Sequence, residues 1–378
     1  MFVVKNLIER SMEVQRNLYL CFIDYKKAFD MVKHNEIMHI LDDLEIDDKD
    51  LRLIQNIYYH QRAIVNVGSK TSEEVPIERG VRQGCVLSPD LFNLYSECIT
   101  RSIEEADGLS VGGQNINNIR YTDDMILIAD TPEKLQNLVN IIVEASKKYC
   151  MELNTKKTKV MTIARQNEAG IPPLRITVGH EILEEVKKFK YLGTTLHWDG
   201  RDEVEVNIRV AIAKKAFNQM KTILTNKNLS IATRRKILTC YIMPIVSYNS
   251  ETWTITKKIA LKLQAFEMWC LRKMQRIPWT AKKRNSEVLH ICKCKRSLLH
   301  GIRPRQLNFL GHILRKQQLE NLSLTGKIVG RKTRGRQRAT YMTQFDGRAN
   351  DIIQKAQDRR SWRVYTAVAA NAWNRLGN

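Results

Sequence analysis

The sequence contains no run of about 18 apolar residues, so no transmembrane helix and no membrane partner are expected. It opens "MFVVKNLIERSMEVQ", which turns charged after four residues. That start lacks the long apolar region of a secretory signal. The stretch "VVKNLIERSMEV" reads instead as a helix inside a domain, with the start of the chain as a truncation point. No internal repeat is visible, which excludes solenoid architectures. The eight cysteines are scattered and show no disulfide framework. Reduced thiols are therefore expected, with a nuclear or cytoplasmic location rather than secretion. His290, Cys292, Cys294, His300 and His312 cluster loosely, but Cys-x-Cys is poor spacing for tetrahedral chelation. Helical packing plus solvated basic residues is the expectation there.

What the chain has is charge, unevenly placed. It has 378 residues, 43% hydrophobic, and a net charge of +22. That charge divides as −7 over residues 1–150, +9 over 151–270 and +20 over 271–378. An acidic first half precedes a strongly basic tail, whose natural partner is a polyanion such as RNA or DNA. Trp279, Trp362 and Trp373 lie in that tail as candidate stacking platforms for bases, with a buried core role the alternative for Trp362 and Trp373.

The elements read as a mixed α+β chain. "LYLCFI" (18–23) is a short apolar run ending at Asp24, which predicts a buried central strand. "KKAFDMVKHNEIMHILDDL" carries Phe29, Val32, Ile37, Ile40 and Leu44 at helical spacing, which predicts one helix. Another helix is expected at about 50–60, followed by strand-like "AIVNVG". Ser88-Pro89-Asp90 predicts a capped helix start. "INNIRYTDDMILIAD" predicts strand, tight turn, strand. Thr131, Ser230 and Thr256 are expected helix caps. "KFKYLGTTL" predicts a β element, and from about residue 201 the pattern is helical.

Three Asp-Asp pairs occur: Asp42-Asp43, Asp47-Asp48 and Asp123-Asp124. The first two fall in polar, solvated settings. Asp123-Asp124 falls at the tip of an apolar hairpin, where adjacent carboxylates repel each other and desolvation makes that worse. Asp24 offers a third acid at the end of another apolar strand. Pairing of the two strands would gather three carboxylates at one sheet end. Hard oxygen ligands of that kind suit Mg²⁺, with Mn²⁺ as a substitute, and phosphoryl-transfer chemistry.

The order strand-Asp24, "RQGCVLSP", "YTDD", "LNTKKTKVM", "YLG" resembles the palm of reverse transcriptases, and among them those of LINE-type retrotransposons, which lack long terminal repeats. The resemblance implies an antiparallel palm sheet with packed helices over about 1–200, a helical thumb over 201–280 and a basic nucleic-acid-binding region over 281–378. It implies RNA-directed DNA polymerase activity, with an RNA template, a DNA primer and deoxynucleotides as partners. Asp24, Asp123 and Asp124 match the catalytic acids, Asp123 as the more direct metal ligand, and the Tyr25 carbonyl would be a metal ligand beside them. Phe29 matches the aromatic that excludes a ribose 2′-hydroxyl; its alternative role is the core face of a helix. Gln83 and Gly84 match the loop that meets the incoming nucleotide, or form an ordinary glycine turn. Lys157 matches the lysine that protonates pyrophosphate, or belongs to a solvated basic turn. Tyr191, Leu192 and Gly193 match the hairpin that grips the primer end, or form a plain β-turn.

Departures are expected to matter. Thr122 stands where LINE-type enzymes usually have alanine, and a small β-branched residue is expected to fit a strand. Only 23 residues precede Asp24, so the fingers and the N-terminal endonuclease of the family are expected to be missing. The alternative function is a catalytically silent retroelement remnant that only binds RNA or DNA.

Overall fold

The computed structural model describes residues 1–164, 173–332, 337–345 and 347–372. The chain divides into two compact units, Arg16–Lys187 and a second made of Met1–Gln15 with Lys188–Asn378. This differs from the expected boundaries at 200 and 280. The opening helix α1 (Phe2–Glu13) sides with the C-terminal half, because its buried Phe2 joins Leu307, Leu310 and Tyr341 in one core. No division falls at 280, because a single core runs from Val206 to Ile302. The fold is α+β, as expected.

The unit Arg16–Lys187 is built on β1 (Leu18–Ile23), buried along its length except for half-buried Tyr19. Helices α2 (Ala28–Met31), α3 (His34–Asp43), α4 (Asp48–Tyr58) and α5 (Ser88–Arg101) follow. Then come the hairpin β2 (Asn118–Tyr121) and β3 (Asp124–Ala129), helix α6 (Pro132–Lys148), β4 (Lys159–Ile163) and the short β5 (Glu184–Glu185). The sheet order is β5-β4-β1-β3-β2, so β1 is central as predicted. All pairs are antiparallel except β4–β5. Cys21, Ile23, Leu127 and Ala129 share a core with Phe92, Tyr95, Leu138 and Ile142 of α5 and α6. Thr131 caps α6 through its Lys134 N–H, as predicted.

Two local expectations fail here. The single helix expected over "KKAFDMVKHNEIMHILDDL" is two, because Val32 and Lys33 are extended. The Val32 carbonyl accepts from Gly80 and Lys33 bridges Arg79, so tertiary pairing overrides helical spacing. Ser88 lies inside the first turn of α5, and its hydroxyl donates to the Arg82 carbonyl rather than capping the helix.

The second unit contains the hairpin β6 (Lys188–Tyr191) and β7 (Thr194–His197), then α7 (Glu203–Gln219), α8 (Ile231–Ile237), α9 (Met243–Val246), α10 (Lys257–Met274) and α11 (Leu298–Arg315). Ser230 and Thr256 cap α8 and α10 as predicted. The continuous helix expected after Ser230 is interrupted by a π turn over Leu238–Ile242. Pro244 lies just beyond it, and a proline inside a helix removes a donor and crowds the carbonyl four residues back.

Candidate active site

The antiparallel register of β1 and β3 pairs Ile23 with Met125. Asp24 follows Ile23 and Asp124 precedes Met125, so both acids lie at the same end of the paired strands, close enough for the Asp24 charge to act on Asp124. Tyr121 pairs with Asp124 across the β2–β3 hairpin, leaving Thr122 and Asp123 as the two-residue turn. The strand expectation for Thr122 is corrected: the residue occupies the turn in the left-handed region, at φ 54°. A β-branched residue is strained there. Its hydroxyl contacts the Tyr121 carbonyl at 2.7 Å and Asp123 Oδ1 at 3.1 Å.

The other two Asp-Asp pairs behave differently from Asp123-Asp124. Asp47 caps α4 by accepting from the Lys49 N–H, with Asp48 in the favourable first turn. Asp42 and Asp43 are exposed at the end of α3. Asp124, in contrast, has its carboxyl pushed above the usual range by burial, then by the charges of Asp123 and Asp24.

Backbone contacts fix the strand end that carries Asp24. Its N–H donates to Thr158 Oγ1 at 3.2 Å, and its carbonyl accepts from the Asn154 N–H at 2.7 Å. The carbonyl of Asn154 in turn accepts from the Lys157 N–H at 3.0 Å. This brings Lys157 Nζ to 3.7 Å from Asp24 Oδ2. Oδ2 itself is buried and makes no hydrogen bond. Tyr25 is buried, with its hydroxyl 3.0 Å from Ser146 Oγ. Burial pushes that phenol up to about 12, so Tyr25 contributes no phenolate.

The donor set fits a hard divalent cation. It offers carboxylate oxygens, one of them buried without a hydrogen bond, and mutual repulsion that a bound cation would relieve. Among the described residues, no group of three or more His, Cys, Asp or Glu side chains is already drawn into a metal-holding cluster. The β1–β3 and β2–β3 registers nonetheless set the three acids at one end of the sheet.

The remaining predicted residues fall into two groups. In the unit Arg16–Lys187, Phe29 is half-buried and stacks on Phe92, centroids 4.6 Å apart at 16°. It thus has a packing role whatever else it does. Gln83 and Gly84 are exposed; Gly84 has φ 87°, so the turn requires its glycine. Tyr191, Leu192 and Gly193 belong to the other unit. Tyr191 is buried at the end of β6, and Leu192 and Gly193 form the turn at φ 47° and 71°.

That turn is held by residues that sequence reasoning missed. Arg209 of α7 donates to the Gly193 carbonyl and to Glu205 Oε1, and its guanidinium lies 4.3 Å from the centre of the Tyr248 ring. Glu205 Oε2 accepts from the Thr195 N–H at 2.8 Å. The Tyr248 hydroxyl reaches the Leu192 carbonyl at 3.5 Å. The only sequence signal was the spacing of Glu205 and Arg209, four apart on one helix face.

The Cys/His region is packing, as expected. Cys292 lies in the second unit's core with Cys294 against it, while His290, His300 and His312 are exposed. Trp279 is 88% exposed, whereas Trp362 is buried with its indole N–H on the Leu307 carbonyl. Trp373 lies outside the described residues.

The chain belongs to the reverse transcriptase (RNA-dependent DNA polymerase) family, which it matches over residues 4–196. It is 27% identical over 200 residues to the retrovirus-related Pol polyprotein from type-1 retrotransposable element R2 of Nasonia vitripennis, covering 51% of this chain and 20% of that protein. It is 24% identical over 292 residues to the RNA-directed DNA polymerase from mobile element jockey of Drosophila funebris, covering 75% of this chain and 31% of that protein. The chain thus spans a minor part of these relatives' length. They bear out the resemblance to LINE-type retroelements. Among solved structures, apo telomerase from Candida tropicalis covers 87% of this chain and is covered to 56%, at 16% identity and a TM-score of 0.39.

Proposed function

We propose that this chain carries the catalytic face of an RNA-directed DNA polymerase. The primer 3′-hydroxyl gives its proton to water, its oxygen bonds to the α-phosphorus of a deoxynucleoside triphosphate, the bond from that phosphorus to the bridging oxygen breaks, and pyrophosphate leaves. The observation that supports this best is the β1–β3 register, whose last pair, Ile23 with Met125, adjoins Asp24 and Asp124 beside the Asp123 turn. Asp24, Asp123, Asp124 and the Tyr25 carbonyl would hold Mg²⁺, or Mn²⁺ in its place, which when bound supplies Lewis acidity to both the attacking and leaving oxygens.

The chain's own residues do the rest. Lys157, tethered through Asn154 within 3.7 Å of Asp24, neutralises charge on the departing pyrophosphate or protonates it. Phe29 closes the space a ribose 2′-hydroxyl would need. Gln83 and Gly84 meet the incoming nucleotide and template. The turn Tyr191-Leu192-Gly193 holds the primer end. An RNA template, a DNA primer and deoxynucleotides are the partners of this reading. A second reading, RNA or DNA binding without catalysis, draws on the +20 charge of residues 271–378 and on the acids not being preassembled.

Primer extension on an RNA template with purified protein and Mg²⁺ separates the two. The polymerase reading predicts deoxynucleotide addition that Asp24→Asn abolishes. Binding of primer–template with no more extension than Asp24→Asn would leave only the second reading.

A further inference from the structure

The segment 152–158 is laced to the end of β1. The Lys26 N–H donates to the Glu152 carbonyl at 2.8 Å, Tyr25 bridges Leu153, and the Asn154 N–H donates to the Asp24 carbonyl at 2.7 Å. Thr158 is fully buried, and its hydroxyl accepts from the Asp24 N–H at 3.2 Å. Both backbone groups of Asp24 are therefore engaged by this one segment.

The same segment folds back on itself at Asn154. The Asn154 carbonyl accepts from the N–H groups of Lys157 at 3.0 Å and Thr158 at 2.8 Å, and Asn154 Oδ1 lies 3.3 Å from the Lys157 nitrogen. An asparagine oxygen that accepts from backbone ahead of it tightens a turn. Lys157 is thus carried on a turn that is anchored to Asp24 itself.

The three lysines of "KKTK" (156–159) face different ways. Lys159 Nζ lies 2.6 Å from Glu184 Oε2. Lys156 is exposed and makes no ion pair among the described residues. Lys157 Nζ stands 3.7 Å from Asp24 Oδ2, and among the described residues it is the one ion-pair partner of Asp24. Other cations nearby are paired elsewhere, Lys26 with Glu152 and Arg120 with Glu97. The Lys157 contact is longer than the roughly 2.7–2.9 Å of a charged hydrogen bond, and the Lys157 side chain is exposed. Such a pair adds little to the fold. The buried oxygen that it faces has no hydrogen bond, so it is matched by a movable charge and by nothing fixed.

We propose that Lys157 is a built-in counter-ion of the cation site: its ammonium stands on Asp24, opposes the entry of a divalent ion, and leaves Asp24 as the ion takes that carboxylate. The inference rests on the cation site of the polymerase reading. It adds an order of events that a role on pyrophosphate does not require, since Lys157 becomes available to a phosphate only after Asp24 has been given up. A positive charge a few ångströms away raises the free energy of a second cation there, and salt screens this only in part at such short range.

The test is Mn²⁺ affinity of the whole protein at low salt, read from the free-ion electron paramagnetic resonance signal. Lys157→Met removes the charge and keeps the length; it should bind Mn²⁺ about three- to tenfold more tightly than wild type. Lys157→Arg keeps the charge and should stay within about twofold, as should Lys156→Met, which removes a neighbouring exposed charge that does not face Asp24. In an Asp24→Asn background the gain from Lys157→Met should fall below about twofold, because the carboxylate under competition is gone. Circular dichroism checks that these exposed-position variants keep the wild-type fold. Unchanged or weaker Mn²⁺ binding by Lys157→Met, equal tightening by Lys156→Met or Lys157→Arg, or a full gain in the Asp24→Asn background would each overturn the proposal. Wild-type binding that Asp24→Asn weakens and Lys157→Met leaves alone overturns this inference and keeps the cation site, whereas no binding by any of these proteins removes both.

Discussion

Asp24 follows Ile23 and Asp124 precedes Met125, the pair that closes the β1–β3 register, so the two acids lie at one end of these antiparallel strands. Burial and the two neighbouring acids hold the Asp124 carboxyl above its usual range. Two strands built to bury apolar side chains thus end in like charges, an arrangement that stability alone does not favour.

Removing one of those charges should therefore cost the fold nothing in metal-free buffer. Asp124→Asn is expected to melt at the wild-type temperature or up to about 2 °C above it. A drop of several degrees would show that Asp124 serves the fold, and thermal melts with chelator present decide it.

The 191–193 turn depends on Arg209. Arg209→Ala leaves Glu205, 1% exposed, as a buried charge without its partner, and should cost about 3 kcal/mol. Adding Glu205→Gln should restore part of that stability. It should not restore tight use of the primer end, because the Gly193 carbonyl still lacks its donor. Denaturant melts beside primer KM and kcat check this; full recovery of primer KM in the double variant would reduce Arg209 to a structural residue.

Phe29 is expected to do two things at once. Phe29→Val loses the stack on Phe92 and should cost about 1–2 kcal/mol. It should also admit ribonucleotides while largely sparing deoxynucleotide use. Equal loss of both activities would leave packing as its whole role.

Glu9 sets a pH dependence in the second unit. Burial, opposed by hydrogen bonds from Thr254 and Tyr341, raises its carboxyl from 4.5 to about 7. The folded state then binds more protons than the unfolded state within that window. The contribution of Glu9 to stability should be fully present below pH 4.5 and be lost as pH rises to about 7. Glu9→Gln should lack this slope, and melting curves across the window compare the two; identical slopes would contradict the assignment.

Much of this was legible in the sequence where the cause is local. Thr131, Ser230 and Thr256 cap helices because a side-chain oxygen three residues ahead of a free N–H suffices. β1 and β3 were readable because a short apolar run bounded by an acid matches a buried strand that reaches solvent at the sheet end. The break at Val32-Lys33 was not readable, since its cause is the Arg79–Val81 segment nearly fifty residues away. The π turn before Pro244 was signalled by that proline, although helical spacing argued the other way. Glu205 and Arg209 carry no motif, and their role appears only once α7 meets the β6–β7 turn. The pairing of Glu9 with Thr254 and Tyr341 spans most of the chain and has no sequence signature.

In the polymerase reading proposed above, Asp24, Asp123 and Asp124 would gather around a divalent cation. Titration of the purified chain with Mn²⁺, read as loss of the free-ion electron paramagnetic resonance signal, tests it most directly. Wild-type protein should sequester Mn²⁺, and Asp24→Asn, Asp123→Asn and Asp124→Asn should each weaken that binding severalfold or more while keeping the wild-type fold by circular dichroism. Sequestration unchanged in all three variants, or absent from the wild type at millimolar Mn²⁺, would contradict it.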